Sequence, residues 1–95
     1  SLYPKITKDL SFVIDKNITF NEIEKTITKT GTEYLININL LDEYQGASIP
    51  ENQTSLCIQL TFQSTEKTLV TKEIEEIIQN IEQKLIKEHN ITTRF

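Results

Sequence analysis

The feature that most constrains this chain is the way its hydrophobic period switches from two residues to about 3.6 and back, twice over. A period of two marks a strand with one buried face and a period of 3.6 a helix with one buried stripe, so the order of switches prescribes the order of elements. Leu10, Phe12 and Ile14 alternate with Ser11, Val13 and Asp15, which predicts a first strand. Thr19-Phe20-Asn21-Glu22 matches a capping box, in which hydroxyl and carboxylate satisfy helix-end amides reciprocally, and Ile18 and Ile23 are placed for a hydrophobic staple. A helix is expected from about Phe20, with Phe20, Ile23 and Ile27 as its apolar stripe and Gly31 as a left-handed C-cap after Thr30.

From Tyr34 to about Tyr44 the period returns to two. Ile36, Ile38 and Leu40 are expected on one side of a second strand, and Asn37, Asn39 and Leu41 on the other. A connection from Gln45 to Thr54, long for a hairpin, leads to a third strand in which Leu56, Ile58, Leu60 and Phe62 alternate with Cys57, Gln59, Thr61 and Gln63. After a polar turn at Ser64 to Lys67, Val70, Ile74, Ile77, Ile78, Ile81 and Leu85 recur at helical spacing. Glu73, Glu75 and Glu76 lie near the start of that helix and Lys84 and Lys87 near its end, both favourable to its dipole. Ile91 to Phe95 is expected to form a short edge strand after a turn at Asn90.

Strand, helix, strand, strand, helix, strand is the α+β, ferredoxin-like βαββαβ order. Right-handed crossovers fold it into a four-stranded antiparallel sheet with two helices on one face. Residues 1–95 are expected to form a single domain, since 37% hydrophobic content suffices for one modest core. A start at Ser1 without an initiator Met reads as a fragment of a longer chain. The uncovered sheet face should carry Ser11, Val13, Asn37, Asn39, Leu41, Cys57, Gln59, Thr61 and Arg94, mainly amides and hydroxyls.

That inventory excludes most catalytic chemistry. One cysteine, Cys57, and one histidine, His89, give neither a disulfide nor metal-ligand spacing nor a nucleophile and base pair, so no catalytic and no metal-binding residue is expected. Cys57 reads as a packed strand thiol, and His89 as a solvated helix-end residue interacting with the last carbonyls. With two glycines the chain has no phosphate-cradling loop, and no run is apolar enough to span a membrane. Asp42 and Glu43, adjacent on a strand, face opposite sides and cannot be a local acid and base couple.

A net charge of -4 argues against a protein held to nucleic acid by a general positive field. Half of the acids fall in the two helices, however, while Lys5, Lys8, Lys16 and Arg94 lie near edge strands or termini, which leaves room for a neutral or basic sheet face. One constellation stands out there, Leu41-Asp42-Glu43-Tyr44-Gln45-Gly46 at the end of the second strand. Asp and Tyr two apart on a strand project to one side, and a carboxylate beside a phenol ring suits a guanine. The alternative is an Asp that caps the following turn and a Tyr that packs on the loop.

The chain resembles the ferredoxin-fold anticodon-binding domain at the C-terminus of the bacterial and organellar phenylalanyl-tRNA synthetase beta chain. The resemblance covers essentially all 95 residues. It is carried by Tyr3-Pro4, Lys8-Asp9-Leu10 with Lys where the family has Arg, and Leu40-Leu41-Asp42-Glu43-Tyr44-Gln45-Gly46. Ser55-Leu56, Phe62-Gln63, Thr68-Leu69, Glu73-Ile74 and the closing Arg94 complete the ordered set. The resemblance implies that Asp42, Tyr44 and Ser55 are RNA contacts. It further implies a role in gripping the anticodon stem-loop of tRNA(Phe) while ATP-dependent aminoacylation proceeds elsewhere in the ligase.

On that reading the domain holds no cofactor, the parent enzyme uses ATP and Mg, and the partners are the rest of the beta chain and its catalytic alpha subunit. The setting is bacterial cytoplasm or an organelle, a plastid among them. Gln45 in place of Arg and Glu43 in place of an apolar residue weaken phosphate attraction beside the base site, and Val70 replaces the usual Thr before the second helix. A competing reading is a ferredoxin-like protein-interaction or small-ligand regulatory domain, given the acidic surface.

Overall fold

The computed structural model describes residues 3–93. It has the expected order, β1 (Ile6–Asp15), α1 (Phe20–Thr30), β2 (Leu35–Tyr44), β3 (Gln53–Phe62), α2 (Thr71–His89) and β4 (Thr92–Thr93). The strands form one antiparallel sheet in the order β2-β3-β1-β4, which puts β1 and β3 at the centre. Residues facing each other across an antiparallel ladder share a face. The pairs Leu10 with Ile58, Phe12 with Leu56 and Ile6 with Phe62 therefore build the side that the helices cover. Those helices contribute Ile23, Ile27, Ile74, Ile77, Ile81 and Leu85 to a single core. The architecture is the ferredoxin-like α+β fold.

Local chemistry explains the ends of α1. The Thr19 hydroxyl accepts from the Glu22 amide at 3.2 Å and the Glu22 carboxylate accepts from the Thr19 amide at 2.7 Å, the capping box read from the sequence. That backbone hydrogen bond, with the Thr19 hydroxyl beside it, holds the Glu22 carboxyl below its ordinary value. Gly31 is not the left-handed cap expected. Its φ of -64° and ψ of 153° are extended, and its amide closes the helix on the Ile27 carbonyl at 2.7 Å. What glycine supplies there is room: a Cβ would sit 2.7 Å from Leu35 Cδ2 and 3.0 Å from the Ile27 carbonyl oxygen as the chain turns into β2.

The left-handed residue is instead Asn90 at the end of α2, at φ 54°. At the start of α2, Val70 leaves the expected apolar stripe: it is the N-cap, mostly exposed, and Leu69 is buried in its place. Glu73 bonds back to the Val70 amide at 3.0 Å and pairs with Lys67 at 2.6 Å. The Lys67 ammonium, first, and the amide, second, lower its carboxyl, and the same pairing raises Lys67.

His89 is also not simply solvated. Its Nε2 lies 2.7 Å from the Oγ1 of buried Thr26, joining the end of α2 to the middle of α1. Because the Thr26 hydroxyl donates to the Glu22 carbonyl at 3.3 Å, the imidazole is the natural donor in that contact. The expected last strand is reduced to Thr92–Thr93, paired with Phe12 and Val13, and Arg94 and Phe95 lie outside the described residues.

Candidate nucleic-acid interface

The side of the sheet away from the helices is built from Thr7, Asp9, Ser11 and Val13 of β1, Ser55, Cys57, Gln59 and Thr61 of β3, and four residues of β2. Which four depends on two irregularities. The ladder pairs Leu35 with Phe62 and Asn37 with Thr61, then Leu40 with Ile58 and Asp42 with Cys57, so Ile36 and Leu41 are extra residues without partners. Each is a β-bulge, and each shifts the strand's phase by one.

Ile36 is therefore not the core residue that alternation predicts. It is 48% exposed, and Leu35 takes its place against Phe62. Leu41, at 46%, is likewise pushed out of the ladder. Beyond it the phase is reversed. Asp42 and Tyr44 join Asn37 and Asn39 on the uncovered side, while Glu43, opposite Leu56, points to the helix side.

The three residues singled out from the sequence are brought together by that register. Tyr44 is directly opposite Ser55, and Asp42, opposite Cys57, is the next residue along the same side of β2. Same-side neighbours on a strand stand about 7 Å apart, close enough for one base to touch both. Asp42 and Tyr44 are exposed, whereas Ser55 is 9% exposed and forms part of the floor between them and Val13.

The loop after β2 supports Tyr44. The Thr54 hydroxyl donates to the Tyr44 carbonyl at 3.1 Å, and the phenol ring lies so close over Gly46 that a side chain there would overlap its hydroxyl. Ile49, 8% exposed, anchors the loop, and its amide donates to the Gly46 carbonyl at 3.0 Å. This explains a connection longer than a hairpin requires. Support from Gly46 was missed in the sequence, although the spacing of Tyr44 and Gly46 was its visible signal.

Charge on this face is not basic. The paired positions hold Asp9, Asp15 and Asp42 and no lysine among the described residues, and Lys8, opposite Leu60, is on the helix side. No group of three or more metal-ligating side chains occurs among the described residues, and no described helix is long and apolar enough to cross a membrane.

Residues 1–94 match the family model described as the ferredoxin-fold anticodon binding domain. The chain belongs to this family. Among its relatives is the chloroplastic phenylalanine–tRNA ligase beta subunit of Phaeodactylum tricornutum, 61% identical over 85 residues, which is 90% of this chain and 12% of that protein. The beta subunit from Synechococcus elongatus is 34% identical over 94 residues, 99% of this chain and 12% of the relative. That from Listeria monocytogenes is 37% identical over 87 residues, 87% of this chain and 11% of the relative. The chain thus spans about an eighth of the length of the relatives it matches. As an anticodon-binding domain it has an uncovered face of amides, hydroxyls and three exposed carboxylates, one of them, Asp42, beside the Tyr44 phenol, a surface suited to base edges more than to phosphates.

Proposed function

We propose that this chain is a single domain that binds the anticodon arm of tRNA(Phe) as part of a phenylalanine–tRNA ligase beta subunit. It would orient the tRNA while ATP- and Mg-dependent aminoacylation takes place in other parts of the enzyme, with the alpha subunit as catalytic partner. The similarity to a chloroplastic and to bacterial beta subunits supports a plastid or bacterial setting. The observation that carries the reading is the reversed phase of β2 after Leu41, which sets Asp42 and Tyr44 side by side over Ser55 on the uncovered face.

The chemistry follows from that placement. A carboxylate accepts hydrogen bonds from the ring NH and the amino group of guanine, whereas adenine presents an acceptor at that ring position and is repelled. The exposed Tyr44 ring offers a surface for stacking, which is indifferent to base identity. Asp42 then selects, Tyr44 holds, and the small Ser55 hydroxyl leaves room for the base.

The test is aminoacylation by the full synthetase of tRNAs with guanine or adenine at the first anticodon position. Asp42→Ala is expected to narrow the guanine advantage by about 1 to 3 kcal/mol, the worth of one bidentate base contact. Tyr44→Ala is expected to weaken both substrates alike. An unchanged guanine preference in folded Asp42→Ala enzyme would remove Asp42 from the site and favour the protein-interaction reading.

A further inference from the structure

We propose that Asn39 and Gln59 form a second base-reading subsite beside Asp42, one that takes an adenine edge. The inference rests on the anticodon reading above and extends it to the neighbouring nucleotide. The two amides are directly opposite each other on β2 and β3, on the uncovered face, and are the pair next to Asp42 and Cys57 on the side away from Tyr44 and Ser55. With a base held at Tyr44 and Asp42, the flank left for its neighbour is this one, about 7 Å further along the strands.

Three properties of the pair fit a base. Asn39 is exposed and Gln59 half-buried, and among the described residues neither amide is engaged by another group of the protein. Each presents a donor and an acceptor side by side, which matches the amino donor and ring acceptor of adenine; Asn and Gln are the side chains that pair bidentately with that base. On the uncovered face no described cation lies in the ladder positions around them, and Asp9, opposite Gln59 on β1, adds a carboxylate, so the pair is placed to distinguish edges and not to attract phosphate. β2 is moreover an edge strand with no strand beyond it, which leaves the outer side of the sheet open for a sugar-phosphate chain running alongside.

Ser11, across from Cys57, is the competing neighbour of Asp42. It offers a single hydroxyl on a central strand, half-buried, and supplies no matched donor and acceptor pair.

The phenylalanine codons UUU and UUC require adenine at the second anticodon position, which makes the subsite testable in the full synthetase. The substrates are tRNA(Phe) with adenine at that position and the same tRNA with purine, which lacks the amino group. The parent enzyme is expected to favour adenine by about tenfold, within the range of one bidentate contact. Asn39→Ala and Gln59→Leu are each expected to shrink that ratio at least about threefold while keeping the preference for guanine at the first position.

A change in overall stability would not move a ratio of two substrates. A ratio unchanged in both variants, or a parent enzyme that charges both tRNAs equally, overturns the subsite. Asp42→Ala run in parallel separates the two ideas. If it loses first-base preference while the amide variants keep second-base preference, the subsite alone fails. If it too changes nothing, the anticodon reading fails.

Discussion

Asp42 lies directly across the ladder from Cys57, on the face of the sheet that the helices leave uncovered. The pairing exists because Leu41 drops out of register. Without that extra residue in the strand, the side occupied by Ile38 and Leu40 would also receive Asp42 and Tyr44. A bulge that re-aims side chains near the end of an edge strand is a recurrent device at binding sites, and it also discourages edge-to-edge pairing of the exposed β2.

Tyr44 depends on a glycine. Because its ring occupies the space over Gly46, Gly46→Ala is expected to displace the phenol and reduce charging of guanine- and adenine-bearing tRNAs in equal proportion, the same outcome expected of Tyr44→Ala. Neither glycine has a positive φ, so the substitution introduces no backbone strain and the melting temperature should stay near that of the parent. Aminoacylation kinetics with a thermal melt check both halves; selective loss for one of the two tRNAs would show that the ring is not displaced as a unit.

The centre of α2 carries the stability of the helix layer. Ile81 is fully buried and Ile77 is 7% exposed, so either residue changed to Asp places an unpaired charge in the core. The expected cost is about 4 kcal/mol or more, a large part of the stability of a domain this small. Circular dichroism of each variant should show an unfolded chain at room temperature. A cooperative melt near the parental temperature would mean that the helix packs through another face.

Acid should loosen the helix starts first. Glu22 and Glu73 are both held below their ordinary value of 4.5 in the folded state, by the Thr19 amide and by Lys67 respectively. A depressed carboxyl contributes stability above its unfolded value and loses it as pH falls through the folded one, so the contribution is intact at neutral pH and fades below about 4.5. The Glu22→Gln, Glu73→Gln double variant should be less stable than the parent at pH 7, and the gap should close in acid. Both groups are exposed, so the effect is small, and urea titrations at several pH values will resolve it better than single melts. Lys67, raised by the same partner, keeps its share through neutral pH and loses it only in strong base.

Binding of the isolated domain to the tRNA should depend weakly on salt. With three aspartates and no described lysine at the paired positions of the uncovered face, few phosphates are neutralised. A plot of log affinity against log salt is expected to have a slope of about two or less in magnitude, corresponding to roughly three neutralised phosphates. A steeper slope, measured by titration of the anticodon arm, would place the contact on the lysine-bearing helix side.

Much of this molecule was legible in its periodicity. The alternation at Leu10, Phe12 and Ile14, the capping box at Thr19 and Glu22, and the stripe through Ile74, Ile77, Ile81 and Leu85 each arise from local geometry, which period and hydrogen-bond chemistry specify without reference to distant residues. The same holds for the opposition of Asp42 and Glu43 across the strand. What alternation cannot carry is phase across an interruption. Ile36 and Leu41 are as hydrophobic as their neighbours, so nothing in their chemistry marks them as bulges, and only pairing with β3 decides that Leu35 packs inward and Asp42 faces out.

Gly31 and His89 were misread for a related reason. The space beside Leu35 and the Thr26 hydroxyl are supplied by other elements, and a residue's sequence neighbours do not reveal what the fold will bring against it. The sequence by itself therefore determined the elements, their order and the residues worth suspecting. Tertiary pairing decided which side of the sheet those residues face, because register is a property of two strands and not of one.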